Sequence, residues 1–289
     1  MGRRSKDKRD IYYRKAKEVG YRARSAYKLI QLDDEFHLLK DAKRVVDLCA
    51  APGSWSQVVA HRQRELTVEG EDNRCVVAVD LQEMAPIEGV HLIQGDITQE
   101  ATLSRIFELF AGEPADLIIS DGAPDVTGIH DIDEYVQSQL ILAALNVAFR
   151  LLRKGGKFVA KVFRQKDTEY LYGRLRVFFD RVVIAKPRSS RNTSIEAFVV
   201  CQDYNPPDDF HLEYCIDYDP SRNKPLNDYS EANKCLVPFV ACGDLSGFDS
   251  NMNYDLTDSE GETESLPPVQ APINPSYTEA IQRMRTNKR

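Results

Sequence analysis

One stretch decides the fold: Val45-Val46-Asp47-Leu48-Cys49-Ala50-Ala51-Pro52-Gly53-Ser54-Trp55-Ser56-Gln57. It begins as an apolar strand and breaks into small residues at Pro52 and Gly53. Apolar spacing resumes at Val58 and Val59, which predicts a helix. A strand, a small-residue turn and a helix together let the backbone approach a nucleotide-like ligand closely. An ordinary tight turn is the alternative interpretation.

The number of glycines in this turn bears on the ligand. A dinucleotide-binding turn needs the pattern G-x-G-x-x-G, whereas this stretch contains one glycine, Gly53. This favours a ligand without a pyrophosphate. S-adenosylmethionine, an adenosine that carries a charged amino acid, fits that description.

The rest of the N-terminal two thirds alternates between strand and helix patterns. Apolar runs predict strands near 44–48, 75–80, 90–94, 116–120, 157–163, 181–186 and 196–201, and helical spacing fills 53–65, 99–110, 132–152 and 168–179. Such alternation predicts an α/β, Rossmann-like fold with a mostly parallel seven-stranded sheet and helices on both faces. Only a short segment separates the last two strands, so we expect the last strand to be antiparallel. Ligands then lie beyond the carboxyl ends of the strands.

Charge is distributed unevenly along the chain. The net charge is −7, yet residues 1–30 hold 11 Lys/Arg against 3 Asp/Glu, whereas residues 201–289 hold 7 against 16. We predict a domain over residues 1–205 that includes a basic RNA-binding N-terminal segment, an ordered extension over 206–250 that packs on it, and a disordered acidic, proline-rich tail over 251–289. In the extension, Leu236-Val237-Pro238-Phe239-Val240 is the expected anchor.

The compartment and the membrane are addressed by simpler features. No apolar run approaches the roughly 20 residues that a membrane span needs, and no secretory apolar region follows the start. The six cysteines show no C-x-x-C spacing, which predicts free thiols and no metal site. We therefore expect a cytoplasmic protein without a membrane partner.

The basic N-terminal segment mixes cations with tyrosines between residues 11 and 32. Cations neutralise phosphates and aromatic rings stack on bases, so the mixture suits RNA; a solvated, frayed terminus is the alternative. A helix is predicted from Ser25, with Ser25 as its N-cap. The candidate RNA-binding residues are Arg3, Arg4, Lys6, Lys8, Arg9, Arg24, Arg188 and Arg191.

Three predicted strands end in an acid, at Asp80, Asp96 and Asp121. Asp80 can accept both ribose hydroxyls of an adenosine. Asp96 can reach the adenine edge, and Asp121 the ammonium of the amino-acid part. Each of these carboxylates can instead cap a helix, which is the commoner use of Asp at such a position.

Two further charged residues occur where apolar residues are expected. Lys161 lies inside the apolar strand around residue 160, and Glu196 opens the last strand. A lysine there commonly extends to the sheet edge. If Lys161 faces the cleft, burial lowers its pKa and it can act as a base. Lys28 supplies a second cation from the N-terminal helix.

Several motifs together resemble the FtsJ-type ribose 2′-O-methyltransferases, a family with an S-adenosylmethionine-dependent, Rossmann-like methyltransferase fold. The motifs are Arg24-Ser25-Ala26-Tyr27-Lys28-Leu29, Asp47 to Gln57, Ser120-Asp121-Gly122-Ala123-Pro124, Phe158-Val159-Ala160-Lys161, Lys186-Pro187-Arg188-Ser189-Ser190-Arg191 and Ser194-Ile195-Glu196-Ala197. The resemblance implies a catalytic set of Lys28, Asp121, Lys161 and Glu196, in which Lys161 is the proton acceptor. It also implies that S-adenosylmethionine is bound by Gly53, Trp55, Asp80, Asp96 and Asp121.

Three other segments, residues 1–10, 121–128 and 237–245, resemble the eukaryotic branch that methylates the tRNA anticodon loop. That branch modifies the wobble nucleotide and the loop nucleotide two places before it. Its members work with an auxiliary subunit, either a WD-repeat protein or a large helical-repeat protein. The resemblance therefore implies tRNA and such a subunit as partners.

Three alternatives stay open. A 2′-O-methyltransferase for ribosomal or messenger RNA would use the same residues. A methyltransferase for small molecules would not need the basic aromatic segment. A non-catalytic RNA-binding scaffold would be free to lose members of the catalytic set, and none is missing here.

Overall fold

The computed structural model describes residues 10–67, 74–123, 130–164, 168–211, 226–236, 251–252, 269 and 277–286. Its strands are β1 (Arg44–Leu48), β2 (Cys75–Asp80), β3 (His91–Gln94), β4 (Ala115–Ser120), β5 (Leu152–Phe163), β6 (Phe179–Ala185) and β7 (Glu196–Tyr204). The α-helices are α1 (Ile11–Val19), α2 (Ala26–Phe36), α3 (Ser54–Leu66), α4 (Glu100–Leu109), α5 (His130–Leu151), α6 (Thr168–Leu175), α7 (Glu231–Lys234) and α8 (Thr278–Thr286).

The strands form one seven-stranded sheet in the order β3-β2-β1-β4-β5-β7-β6. Neighbours from β3 through β5 pair in parallel, whereas β7 runs antiparallel between β5 and β6. The predicted α/β architecture and the antiparallel last strand are therefore confirmed. In such a sheet the carboxyl ends of β1, β2, β4 and β5 meet at one edge, which fixes the position of the site.

The alternation of side chains along each strand builds two cores, one on each face of the sheet. In β1, Val46 and Leu48 pack on one face, whereas Val45 packs on the other. The first core also contains residues of α4, α5 and α6, and the second contains residues of α2 and α3. Because both faces are covered, the central strands are apolar at nearly every position.

Most predicted boundaries agree with the structure to within two residues, and three differ by more. The helix predicted over 168–179 ends at Leu175, because Phe178 and Phe179 are buried and β6 already begins at Phe179. β5 begins at Leu152, five residues before the predicted start. β7 continues to Tyr204, three residues past the predicted end, and Tyr204 is itself buried.

Helix α1 was not predicted. Asp10 caps its N-terminus by accepting hydrogen bonds from the backbone N–H groups of Tyr12 and Tyr13. Gly20 ends it in the left-handed region, at φ 89°. Asp is common at the N-cap of a helix and Gly just after its end. The helix could therefore have been predicted from Asp10 and Gly20.

Ser25 is the N-cap residue of α2, as predicted, although its side chain does not cap the helix. Ser25 immediately precedes the helix, but its hydroxyl makes no capping hydrogen bond. It instead lies 2.6 Å from the hydroxyl of Ser54, at the start of α3. The contact ties the N-terminal segment to the helix that follows the small-residue turn.

The chain separates into two compact units, Met1–Val240 and Ala241–Arg289. In the first unit, Phe210 stacks edge-on against Phe149 and Phe178, and Leu236 belongs to the same core. These contacts concern residues 206–211 and 226–236 alone, and the ordered extension over 206–250 stays a prediction. The rest of the expected anchor, residues 237–240, lies outside the described residues.

In the second unit the structure describes α8, and no residue of this helix is buried. This helix falls within residues 251–289, and the disordered tail over that range stays a prediction. Among the described residues, no helix has both the length and the apolar character that crossing a membrane requires.

Candidate active site

The register of the parallel strands brings the predicted acids together. Leu48, the last residue of β1, pairs with Val79 of β2 and with Ser120 of β4. Asp80 comes directly after Val79, and Asp121 directly after Ser120. The two acids therefore lie on either side of the turn that leaves β1. Because Ser120 also pairs with Ala160 of β5, Lys161 comes next to Asp121.

The turn after β1 is held in shape by specific contacts. Gly53 adopts φ 100°, and a Cβ atom there would lie 2.6 Å from Cδ1 of Ile87 and 3.0 Å from Nη1 of Arg22. Arg22 donates hydrogen bonds to the carbonyl oxygens of Pro52 and Pro86. The backbone conformation favours glycine here, and a side chain would also have to displace the ends of the Ile87 and Arg22 side chains.

Cys49, the first residue of the turn, is a non-glycine residue in the left-handed region, at φ 55°. Burial raises the pKa of its thiol to about 11, so the thiol stays protonated. A Cβ atom added to Gly122 would lie 3.1 Å from Cβ and Sγ of Cys49. The two segments that follow β1 and β4 therefore approach each other closely at the carboxyl ends of these strands.

Asp80 and Asp96 are both engaged with local backbone. Oδ2 of Asp80 accepts a hydrogen bond from the backbone N–H of Ala51, and Oδ1 accepts one from Gln82. Oδ1 of Asp96 accepts from the backbone N–H and the hydroxyl of Thr98. The two carboxylates thus shape the turns around the cleft. Each oxygen of Asp80 accepts one of the two hydrogen bonds it can take, so Asp80 keeps capacity for a ligand hydroxyl.

The side chain of Trp55 lies in the core. Trp55 is 2% exposed, its indole N–H donates to the carbonyl oxygen of Ser25, and its ring packs 5.5 Å from that of Phe198. The indole therefore has no face toward the cleft. A contact between Trp55 and a cofactor is restricted to its backbone at the start of α3.

Lys28, Asp121, Lys161 and Glu196 converge into one cluster, hereafter the tetrad, and their side chains are 10–17% exposed. Nζ of Lys28 lies 2.6 Å from Oε2 of Glu196 and 3.7 Å from Oδ1 of Asp121. Nζ of Lys161 lies 3.0 Å from Oδ1 of Asp121 and 3.5 Å from Oε2 of Glu196. Each of the two lysines thus lies no more than 3.7 Å from both carboxylates.

Burial alone would raise the pKa of Glu196, but the charges of Lys28 and Lys161 and hydrogen bonds from Lys28 and Ser190 outweigh it. The pKa of Glu196 is therefore below its ordinary value. Glu196 is ionised at neutral pH and acts as the common counter-ion of the two lysines.

The expectation of a lowered pKa for Lys161 is wrong for this structure. Burial does lower it, but the charges of Asp121 and Glu196 raise it by more, so the pKa lies above its ordinary value. The same two carboxylates also pair with Lys28. Lys161 is therefore an ammonium at neutral pH here, and it donates a hydrogen bond of 3.2 Å to the carbonyl oxygen of Asp121.

One buried acid beneath the site was missed. Asp47 in β1 is 1% exposed, and the hydroxyl of Ser56 donates to its Oδ2 at 2.5 Å. Burial raises its pKa to about 7, and the charges of Asp121 and Asp80 add to the effect. The pattern that drew attention to Lys161, a charged residue inside an apolar strand, applies equally to Asp47.

The structure describes three of the candidate RNA-binding residues, Arg24, Arg188 and Arg191. Arg24 forms an ion pair with Asp10 and donates to the carbonyl oxygen of Ser189. Arg191 lies 3.8 Å from the same Asp10 carboxylate, and Arg188 is exposed. The other candidates, Arg3, Arg4, Lys6, Lys8 and Arg9, lie outside the described residues.

Tyrosine rings border the same region. Tyr27 lies 5.5 Å from Tyr12 and 6.0 Å from Tyr21, centroid to centroid, and Nζ of Lys17 lies over the ring of Tyr13. No cluster of three His, Cys, Asp or Glu side chains suited to a metal ion occurs within the described part of the chain.

The sheet order, the antiparallel last strand and the cleft at the strand ends define a methyltransferase-type α/β protein. The chain belongs to the family of FtsJ-like methyltransferases, whose family model matches residues 21–204. Of the solved structures, a Plasmodium falciparum protein described as a ribosomal RNA methyltransferase superimposes with a TM-score of 0.56 at 28% identity. That match covers 64% of this chain and 98% of the other. The resemblance drawn from the motifs is thereby confirmed.

Curated relatives are similar over nearly the whole length. The chain is 56% identical over 289 residues to the tRNA (cytidine(32)/guanosine(34)-2′-O)-methyltransferase of Mus musculus, covering 99% of this chain and 87% of that protein. It is 52% identical over 287 residues to the protein of the same name in Schizosaccharomyces pombe, covering 98% and 97%. The similarity thus extends through the extension and the tail, beyond the family domain.

Proposed function

We propose that this chain methylates ribose 2′-hydroxyls of tRNA at nucleotides 32 and 34 of the anticodon loop, or at one of the two. The relatives at 56% and 52% identity carry these two nucleotides in their names. The observation that carries the proposal is the tetrad, in which two lysines and two carboxylates meet at the edge of the sheet where ligands bind.

The residues present fit S-adenosylmethionine as the methyl donor. Gly53 leaves no room for a side chain where the backbone turns, and Asp80 keeps hydrogen-bonding capacity. Oδ1 of Asp121 is buried and makes ion pairs, but it has no aligned hydrogen bond. We propose that Asp80 holds the ribose, Asp96 the adenine edge and Asp121 the amino group. When bound, this cofactor supplies a methyl group on a sulfonium sulfur, which leaves as a neutral thioether when the methyl group is transferred.

The protein must then align the ribose oxygen and remove its proton. Positioning two reactants contributes about 7–11 kcal/mol to lowering such a barrier. In our proposal Lys161 holds the 2′-oxygen through a hydrogen bond and accepts its proton when the amine is neutral. Asp121 and Glu196 orient Lys161, and Lys28 holds the nucleotide while it pairs with Glu196.

Lys161 has to lose its own proton before it can accept another. The nearby carboxylates keep the pKa of Lys161 high in this structure, so the neutral amine is a minor form at neutral pH. A further positive charge brought close to Lys161 would lower that pKa. The rate of transfer is therefore expected to rise with pH.

RNA is held, in our proposal, by the basic residues beside the tetrad. Arg24, Arg188 and Arg191, together with the basic residues of the first nine positions, bind phosphates. The tyrosines of α1 and α2 are only partly buried, and in our proposal they stack on unpaired bases of a loop.

An auxiliary subunit, a WD-repeat or a large helical-repeat protein, is part of the proposal. We propose that it selects between the two nucleotides. Cys49, Cys75, Cys201 and Cys235 are free thiols, which agrees with a reducing compartment, and we place the reaction in the cytoplasm.

Mass spectrometry of tRNA from cells with and without the chain tests the proposal. We expect a 2′-O-methyl group to be lost from nucleotide 32, nucleotide 34 or both, and to be restored by the wild-type chain but not by Lys161→Ala. Lys157→Ala is the matched control, since Lys157 lies in the same strand but donates to the carbonyl oxygens of His37 and Leu38, away from the tetrad. An unchanged anticodon loop would contradict the proposal and favour ribosomal or messenger RNA as substrate.

A further inference from the structure

The segment between β6 and β7 folds back against the tetrad. It carries two consecutive serines, Ser189 and Ser190, which are 1% and 4% exposed although they lie in a loop. Polar side chains are rarely this buried without a specific partner. The hydroxyls of Ser189 and Ser190 differ in whether they have such a partner.

The hydroxyl of Ser190 donates a hydrogen bond of 2.7 Å to Oε1 of Glu196. The other oxygen, Oε2, faces Nζ of Lys28 at 2.6 Å and Nζ of Lys161 at 3.5 Å. The two oxygens of this carboxylate are thus divided between one neutral donor and the two lysines. A carboxylate held at both oxygens cannot rotate about its last torsion without breaking one of these interactions.

We propose that Ser190 is a positioning residue, which fixes the carboxylate of Glu196 so that one oxygen stays directed at both lysines of the tetrad. The inference rests on the proposed function and deepens it, because it extends the site to a residue that touches neither substrate nor cofactor.

Backbone contacts hold the serine itself in place. The N–H of Ser190 donates to the carbonyl oxygen of Pro187, and the N–H of Ser189 donates to Oε1 of Gln31 in α2 at 2.9 Å. Arg24 donates to the carbonyl oxygen of Ser189. The loop is therefore anchored to the helix that carries Lys28, so the lysine and the serine approach Glu196 from a common support.

The neighbouring serine provides a matched control. The hydroxyl of Ser189 is buried and has no hydrogen-bond partner among the described residues. Ser189→Ala removes the same atom from the same loop without removing a hydrogen bond to Glu196. An effect of loop packing alone would be similar in the two variants, whereas a positioning effect is confined to Ser190.

The test compares the full-length wild-type chain with Ser190→Ala and Ser189→Ala in steady-state methylation of unmodified tRNA. We expect Ser190→Ala to lower kcat about tenfold with little change in KM for cofactor or tRNA, because a hydrogen bond to a charged group contributes about that factor. Ser189→Ala should leave both parameters unchanged. If Ser190→Ala does not fold, Ser190→Cys, with a weaker donor of similar size, is expected to give an intermediate kcat.

A second readout does not depend on catalysis. Removing the Ser190 hydroxyl takes away one of the interactions that lower the pKa of Glu196, while Lys28, Lys161 and Asp121 stay in place. Carbon-13 NMR of the Glu196 carboxyl should therefore show a higher pKa in Ser190→Ala, and an unchanged one in Ser189→Ala.

The outcomes separate the two proposals. If the wild type is active and Ser190→Ala matches it in kcat, the positioning role is overturned. If the wild type does not methylate tRNA, the proposed function fails, and the NMR titration still decides on Ser190. An equal Glu196 pKa in wild type and Ser190→Ala would overturn the inference in either case.

Discussion

Replacing Asp47 by Asn should stabilise the protein increasingly as the pH rises. Asp47 is buried in β1, and burial raises its pKa to about 7 from an ordinary value of 3.8. Between these two values the folded chain holds a proton that the unfolded chain has released. Stability therefore falls as the pH rises, by about 1.4 kcal/mol per pH unit for one such proton. Over the interval of about 3 units the loss approaches ~4 kcal/mol.

Asn has nearly the shape of a protonated Asp and does not ionise, so Asp47→Asn avoids this loss. The free energy of unfolding, measured with urea on the full-length chain at pH 5, 6, 7 and 8, gives the comparison. The advantage of the variant over wild type should grow by about 1.4 kcal/mol per unit between pH 5 and 7 and then level off.

Asp116→Asn is a control of opposite sign. Burial raises the pKa of Asp116, but hydrogen bonds from Arg153, Arg44 and Lys43 lower it by more, so the net pKa is below its ordinary value. The stability that this carboxylate contributes is fully present above the unfolded pKa and is lost only as the pH falls through the lower folded value. Asp116→Asn should therefore destabilise by a constant amount from pH 5 to 8. A difference between wild type and Asp47→Asn that does not vary with pH would refute the reasoning.

Three further predictions concern the site. Lys161→Ala should lower kcat by about 10²–10⁴-fold, which is the usual contribution of a general base. Cofactor affinity, measured by equilibrium binding, should be nearly unchanged. Retained turnover would exclude Lys161 as the general base. In the wild type, kcat should rise about tenfold per pH unit from pH 6.5 to 8.5, because the neutral form of Lys161 is the minor one, and a flat profile would assign Lys161 to orientation alone. Replacing both Arg188 and Arg191 by Ala should weaken tRNA binding. It should also reduce the slope of log affinity against log salt concentration by about 1 for each phosphate that is no longer neutralised. An unchanged slope would mean that RNA binds elsewhere.

The arrangement of the fold was predictable because it depends on local patterns. Strands ending in Asp80 and Asp121 and a single small-residue turn at Gly53 imply parallel neighbours whose ends meet at one edge. The structure adds the register, which places Asp80 and Asp121 on either side of Cys49. The positions of the strands along the chain follow from the hydrophobic pattern alone. The distances between residues of different strands follow from how the strands pair.

Contacts between distant segments were not predictable. The pKa of Lys161 depends on two carboxylates within 3.5 Å, one from the end of β4 and one from the start of β7, and no local pattern reveals that both approach it. The same holds for Ser190, whose partner is reached only because the loop folds back. The place of the Trp55 ring in the core was likewise not predictable, because it depends on packing against Phe198 of β7; cofactor binding by Trp55 stays a prediction.

The central claim is that a ribose 2′-hydroxyl of the anticodon loop accepts the methyl group. The most direct test uses the full-length chain, purified from its own cells so that a bound subunit is retained, with S-adenosylmethionine labelled in its methyl group. The substrates are tRNAs that carry a single 2′-deoxy nucleotide at position 32 or 34, the positions named in the relatives. We predict that label transfer to a position is abolished when its own 2′-hydroxyl is absent. The account would be contradicted if both deoxy tRNAs were labelled to the same extent as the unmodified tRNA.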